Sequence, residues 1–193
     1  MRDGRVHPRN QAGVTKPRPV RLLFLCTGNS ARSQMAEALL NAKSGGRFHA
    51  ESAGSHPAAQ VNPYAIDTLR DHGVPWAGHP PRSVDSLERE PWDCVITVCD
   101  RAKESCPIFP GQPVLAHWGM PDPAEVRGDD AVKRRAFRDA FVLLSRRIDL
   151  LLALPLEKLD GLALEARVRA IGGSGPAASR FRPAFANAAL PPT

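Results

Sequence analysis

The chain has 193 residues, 42 % of them hydrophobic, and a formal net charge of +6, enough length for one domain with a buried core. The charge sits in the ends: residues 1–18 hold five Lys/Arg against one Asp, and residues 172–193 hold two arginines and no acid, so the stretch between is formally neutral. That balance argues against a basic face on the fold, and with it against specific nucleic-acid binding.

No apolar run approaches the roughly 20 residues of a membrane helix; the longest candidate, Ile148 to Leu156, is broken by Pro155. The N-terminus has arginines but no apolar core of a signal peptide, so a cytoplasmic chain without a membrane partner is expected. In a reducing compartment Cys26, Cys94, Cys99 and Cys106 read as reactive, metal-binding or buried thiols rather than a disulfide framework.

Residues 1–18 show no apolar period, and residues 172–193 are rich in Gly, Pro, Ala and Ser, so both ends are expected to be tails without order. Between them "VRLLFL" (Val20 to Leu25) is a continuous apolar run, as in a strand buried on both faces. A helix fits Ser30 to about Ala42, with Met35, Ala36, Leu39 and Leu40 in one stripe. "GRFHAESAG" reads as a short strand ending at Gly54. Asn62 then caps a helix that has Pro63 at its first position and stops at Gly73.

"DCVITVC" (Asp93 to Cys99) is a third buried strand and "VLAHW" (Val114 to Trp118) a fourth. A long amphipathic helix spans about Ala131 to Leu151, with Val132, Ala136, Phe137, Ala140, Phe141, Leu144 and Ile148 facing inward. Strands alternating with helices predict an α/β fold of three layers around a central four-stranded parallel sheet. The expected domain covers 19–156, with a further helix over 157–171.

The segment "CTGNSARS" joins the first strand to the first helix. Such a junction aims backbone N–H groups at one point and adds the positive end of a helix dipole. Gly28 is read as the residue that frees the loop's backbone, and Asn29, Ser30 and Ser33 as side chains that fasten its curl. A tetrahedral oxyanion fits this cradle, held by Arg32 and by Thr27, Gly28, Asn29, Ser30, Ala31 and Ser33. The same field is expected to lower the pKa of Cys26 and make it a nucleophile. A strand-end cysteine beside a solvated arginine is the plainer reading of Cys-x5-Arg; the flanking strand and helix favour the nucleophile.

Such a nucleophile needs a proton donor, and Asp122 in "HWGMPDPAE" is the main candidate, on a loop stiffened by Pro121 and Pro123 after a late strand. Asp-Pro is equally a common turn-former, and only a match to a known site raises Asp122 above that. If Cys99 reaches Cys26, Cys26, Cys99 and Cys106 can pass a disulfide along. A zinc site from Cys94, Cys99, Cys106 and His117 competes. The four and six residues between its cysteines match no tight zinc knuckle, and Cys94 sits inside an apolar strand, where it reads as core packing. His117, beside Trp118, either orients the Asp122 loop or is simply packed.

Four stretches, "FLCTGNSARSQMAEALL", "SAGSHPAAQVNPYAI", "DCVITVCDRAKESCPIFPG" and "HWGMPDPA", in this order, resemble the arsenate reductases built on the low-molecular-weight tyrosine phosphatase fold. The resemblance covers about Arg21 to Leu152. It implies a low-molecular-weight tyrosine phosphatase-like fold and reduction of arsenate to arsenite, contributing to arsenic detoxification. Cys26 would attack arsenate, Arg32 hold its oxygens and Asp122 protonate the leaving hydroxyl. Cys99 would then release arsenite as a Cys26–Cys99 disulfide forms, and Cys106 would take that over as a Cys99–Cys106 disulfide reduced by thioredoxin. Glutaredoxin with a low-molecular-weight thiol is the alternative donor.

The resemblance also implies a potassium ion at Asn29, Glu37, Ser52 and Asp85, with no tightly bound cofactor; a monomer is expected. The parent phosphatases are the nearest rival. Where their loop usually carries a second cysteine before the arginine and a proline after the Arg-Ser, this chain has Ala31 and Gln34, and its single tyrosine is Tyr64. A regulatory module that binds oxyanions without turnover is the alternative from another class, but pure binding needs neither a nucleophile nor an acid.

Overall fold

The computed structural model describes residues 18–76, 78–104, 106–155 and 161–173. Most of the two expected tails, residues 1–17 and 174–193, therefore lies outside the described residues, as does 156–160 at the start of the expected extra helix. Four strands, β1 (Val20–Cys26), β2 (Phe48–Gly54), β3 (Cys94–Thr97) and β4 (Val114–His117), form one parallel sheet in the order β2-β1-β3-β4.

Leu22 to Cys26 of β1 are buried without alternation. Successive residues point to opposite faces, so both faces of the central strand are covered and the expected three-layer α/β architecture is present. The helices are α1 (Arg32–Lys43), α2 (Pro63–Asp71), α3 (Asp100–Glu104), α4 (Asp130–Leu152) and α5 (Gly161–Gly173). Asn62 caps α2 as expected, its side chain accepting the N–H of Tyr64, with Pro63 at the first position.

α1 is a run of good helix formers buried along Arg32 to Leu40, and it packs on α2 and α4. On α4 the buried positions are Phe137, Ala140, Phe141, Leu144, Arg147, Ile148 and Leu151. Val132, expected to face inward, is exposed, the buried positions of α4 beginning only at Phe137, and the buried Arg147 went unforeseen. The five-residue helix α3 was also missed; so short a polar segment carries no readable period.

The chain leaves β1 for β2 on one side and later returns to β3 on the other. This order reverses beside β1, and in open α/β sheets the crevice at the carboxyl ends of such strands is where ligands bind. Cys26 ends β1, and Cys99 follows β3 by two residues. Among the described residues no helix is long and apolar enough to cross a membrane.

Candidate active site

At the carboxyl ends of β1 and β3 lies a cleft of about 450 Å³ lined by Cys26, Thr27, Gly28, Ser30, Ala31, Arg32, Cys99, Asp100, Arg101, Met120, Pro121, Asp122 and Glu125. Of the residues expected from sequence, Cys26, Arg32, Cys99 and Asp122 are therefore brought together. Cys106 is not among the lining residues; it lies beyond α3, half-buried against the core. Asp100, Arg101, Met120 and Glu125 were not foreseen, because neither charge nor spacing marks them until the loops are placed.

α1 starts after Ala31 with no side-chain cap and no acidic residue in its first turn, so its leading N–H groups are not taken by the chain's own carboxylates. Arg32 donates from Nη1 to the Met120 carbonyl (3.0 Å) and from Nη2 to the Asp122 carboxylate. Its buried Nε has no hydrogen-bond partner among the described residues, so three of the five guanidinium N–H groups are not used by the bonds to Met120 and Asp122. Asp122 also accepts the Ala124 N–H (3.0 Å), so both the turn role and a place in the cleft hold for this residue.

Behind the cleft, the loop is held by buried side chains. The residue in the left-handed region is Asn29 (φ 46°) and not Gly28, which was expected to supply the unusual backbone. Asparagine tolerates that region, and here the network determines it. Asn29 Nδ2 donates to Ser33 Oγ (2.9 Å) and Ser52 Oγ (2.8 Å), while its Oδ1 accepts the Arg82 N–H (3.0 Å). Asn29 and Ser33 thus shape the loop from beneath, and the Asn29 N–H donates to Cys26 Sγ (3.1 Å).

Cys26 Sγ also lies 2.9 Å from Ser33 Oγ. Burial nevertheless pushes the Cys26 thiol above its ordinary value; the Ser33 hydroxyl, the Ser33 N–H and the Arg32 charge oppose that, and Cys99 adds to it. The direction is thus opposite to the expected lowering, because the sulfur is out of water and the groups that favour the thiolate do not offset that. Cys99 is buried beside Thr27, with Sγ 3.4 Å from Thr27 Oγ1. Burial also raises Cys106 and raises Cys94 strongly, as suits core packing for Cys94. The described residues contain no cluster of three or more His, Cys, Asp or Glu able to hold a metal, so the zinc alternative has no assembled site.

His117 accepts or donates at Thr97 Oγ1 (2.8 Å) and at Asp100 Oδ1 (2.9 Å), which ties β4 to the first residue of α3 rather than to Asp122.

Three of the residues expected for potassium, Asn29, Ser52 and Glu37, are joined by hydrogen bonds. Ser52 Oγ donates to Glu37 (2.6 Å) and accepts from Asn29, but Asn29 turns its amide nitrogen, not its oxygen, toward them. Both Glu37 oxygens lie 2.9 Å from His79 Nε2. Asp85 is bonded to Ser83 on the exposed side of a separate turn. A cation at Asn29, Glu37, Ser52 and Asp85 would have to displace the His79 imidazole from the Glu37 carboxylate.

A parallel sheet with a thiol on an anion-binding strand–helix junction, an arginine on that junction and a carboxylate facing it defines a cysteine-dependent enzyme of oxyanion chemistry. The chain belongs to the low molecular weight phosphotyrosine protein phosphatase family, whose model matches residues 21–161. An arsenate reductase of Halalkalibacterium halodurans is 35 % identical over 127 residues, 66 % of this chain and 91 % of that protein. The crystal structure of an arsenate reductase from Archaeoglobus fulgidus is 32 % identical with a TM-score of 0.53, covering 66 % of this chain and 98 % of that one. A low molecular weight protein tyrosine phosphatase from T. tengcongensis is 26 % identical with a TM-score of 0.57, covering 72 % of this chain and 99 % of that one.

Proposed function

We propose that this chain is an arsenate reductase that converts arsenate to arsenite with its own cysteines and so contributes to arsenic detoxification. The observation that carries the reading is a second thiol, Cys99, in the same cleft as Cys26, Arg32 and Asp122. A phosphate-ester hydrolase has use for one thiol, an arginine and an acid; a two-electron reduction needs two thiols.

The Cys26 thiol passes its proton to the Asp122 carboxylate and attacks arsenic as the thiolate; the As–O bond breaks as Asp122 hands that proton on to the leaving hydroxyl, which departs as water. Arg32 and the loop N–H groups hold the remaining oxygens. The Cys99 thiolate then attacks the Cys26 sulfur; the S–As electron pair passes to arsenic, which leaves as arsenite, and a Cys26–Cys99 disulfide remains. Cys106 attacks the Cys99 sulfur, returning Cys26 as a thiol and leaving a Cys99–Cys106 disulfide. Because Cys106 lies outside the cleft, this step requires the segment through α3 to move, and the five-residue helix has few contacts to lose. A dithiol reductant of the thioredoxin type then restores both thiols.

The test is a coupled assay: arsenate is added to the chain with thioredoxin, thioredoxin reductase and NADPH. Arsenate-dependent NADPH oxidation is expected. Turnover sustained only by glutathione and glutaredoxin would reassign the donor, and no thiol loss with arsenate in any system would overturn the reductase reading.

A further inference from the structure

The helix α5 begins where the family match ends, at residue 161, yet it is bonded to the segment that leads into the Asp122 loop. Trp118 Nε1 donates to the Val168 carbonyl (3.0 Å), and Arg169 Nε donates to the Leu115 carbonyl (3.0 Å). A Cβ on Gly172 would stand 2.1 Å from the His117 oxygen, so the last turn of α5 meets the end of β4 backbone to backbone.

Arg147, reaching from α4, closes this arrangement. Only 3 % exposed, its guanidinium donates to the carbonyls of Trp118 (2.7 Å), Gly119 (3.2 Å from each Nη) and Gly172 (2.8 Å). A cation suits the last turn of a helix, whose carbonyls lack intrahelical partners, and each bond gains from the donor's charge. The residue after Gly119 is Met120, whose carbonyl receives Arg32. One path of contacts thus runs from the C-terminal helix through Arg147 and residues 118–120 to the anion-loop arginine.

We propose that Arg147 and α5 act as a clamp that positions the Asp122 loop against Arg32, which makes the C-terminal helix a working part of the active site. Arg147 is a positioning residue: it touches no reacting atom and acts through main-chain carbonyls. The catalytic consequence rests on the reading of Asp122 as the acid in the preceding section.

The full-length chain tests this with Gly172→Ala, which drives a methyl group into the His117 carbonyl, and with Arg147→Met and Arg147→Lys. Hydrogen–deuterium exchange of the 118–125 amides is expected to accelerate at least about tenfold in Gly172→Ala and Arg147→Met, with β1 and α1 exchanging as in the parent chain. Single-turnover thiol loss on adding arsenate should slow by about ten- to a hundredfold, while phosphate binding in the cleft changes less than about twofold. Arg147→Lys, which keeps charge but not the fork, should fall between. Unchanged 118–125 exchange while α5 itself exchanges faster would overturn the clamp, as would acceleration spread evenly over all segments. If the parent chain loses no thiol with arsenate, the reductase reading fails, and the exchange pattern still decides the clamp.

Discussion

The Cys26 sulfur lies 2.9 Å from the Ser33 hydroxyl, so the first turn of α1 is hydrogen-bonded to the group expected to attack. Burial outweighs that bond and holds the thiol above its ordinary pKa, while Arg32, which favours the thiolate, is ion-paired to Asp122. The neutral thiol is unreactive, so alkylation of Cys26 by iodoacetamide should rise with pH through a midpoint above the usual thiol range. In Asp122→Asn the Arg32 charge is unshared, the thiol pKa falls, and the whole profile moves to lower pH. Each unit of that movement makes alkylation at neutral pH about tenfold faster. Ser33→Ala removes an opposing hydrogen bond and should move the profile up. A profile that stays in place in Asp122→Asn would show that Asp122 does not govern the charge near the sulfur.

The place of Cys106 outside the cleft makes it dispensable for the first turnover and required for the next. Cys106→Ser should release one arsenite per chain and stop with Cys26 joined to Cys99, which mass spectrometry of the alkylated, non-reduced protein identifies. Steady-state turnover with thioredoxin should drop at least about a hundredfold, because the remaining disulfide is buried away from a protein reductant. Cys94→Ala should keep turnover, since burial raises the Cys94 thiol and removes it from exchange chemistry.

What could be read from the sequence follows from the range of the interactions involved. β1 and the carboxyl-terminal half of α4 announce themselves through local apolar patterns, and the loop from Cys26 to Ser33 through the residue types an anion needs. Contacts between distant residues were legible only where the family resemblance carried them, as for Cys99 and Asp122 beside Cys26 and Arg32. Nothing near Arg147 in sequence signals that it joins Gly172 to Gly119, and nothing near Glu37 signals that His79 faces it. Gly28 and Asn29 show the same limit at short range. The pattern indicates a loop with unusual backbone, but only the network of Ser33, Ser52 and Arg82 decides that Asn29 carries it.

Gly54, at the end of β2 opposite Cys26, supports the loop by having no side chain. A Cβ there would lie 2.5 Å from the Thr27 oxygen and 2.9 Å from the Asn29 nitrogen, both backbone atoms that cannot swing aside. Gly54→Ala should therefore destabilise the fold by about 1–3 kcal/mol, read from the urea midpoint at unchanged slope. It should also weaken phosphate binding, because the displaced Thr27 lines the cleft and Asn29 shapes its loop from beneath. Wild-type phosphate affinity in this variant would mean that the loop is set by α1 alone.

The contact between His79 and Glu37 predicts how the chain responds to alkali cations. Both carboxylate oxygens face the imidazole Nε2, Asn29 presents an N–H toward Ser52, and Asp85 accepts from Ser83. A potassium ion held with a Kd near 1 mM would add about 2.7 kcal/mol at about 100 mM KCl. That would raise the unfolding temperature by several degrees in a domain of this size. Replacing KCl by choline chloride at equal ionic strength is therefore expected to leave the unfolding midpoint and the arsenate turnover unchanged. In His79→Ala the carboxylate loses its partner, and potassium, but not choline, should restore part of the lost stability. A midpoint in the parent chain that climbs with KCl would show that the cation displaces His79 and that the four-residue site forms after all.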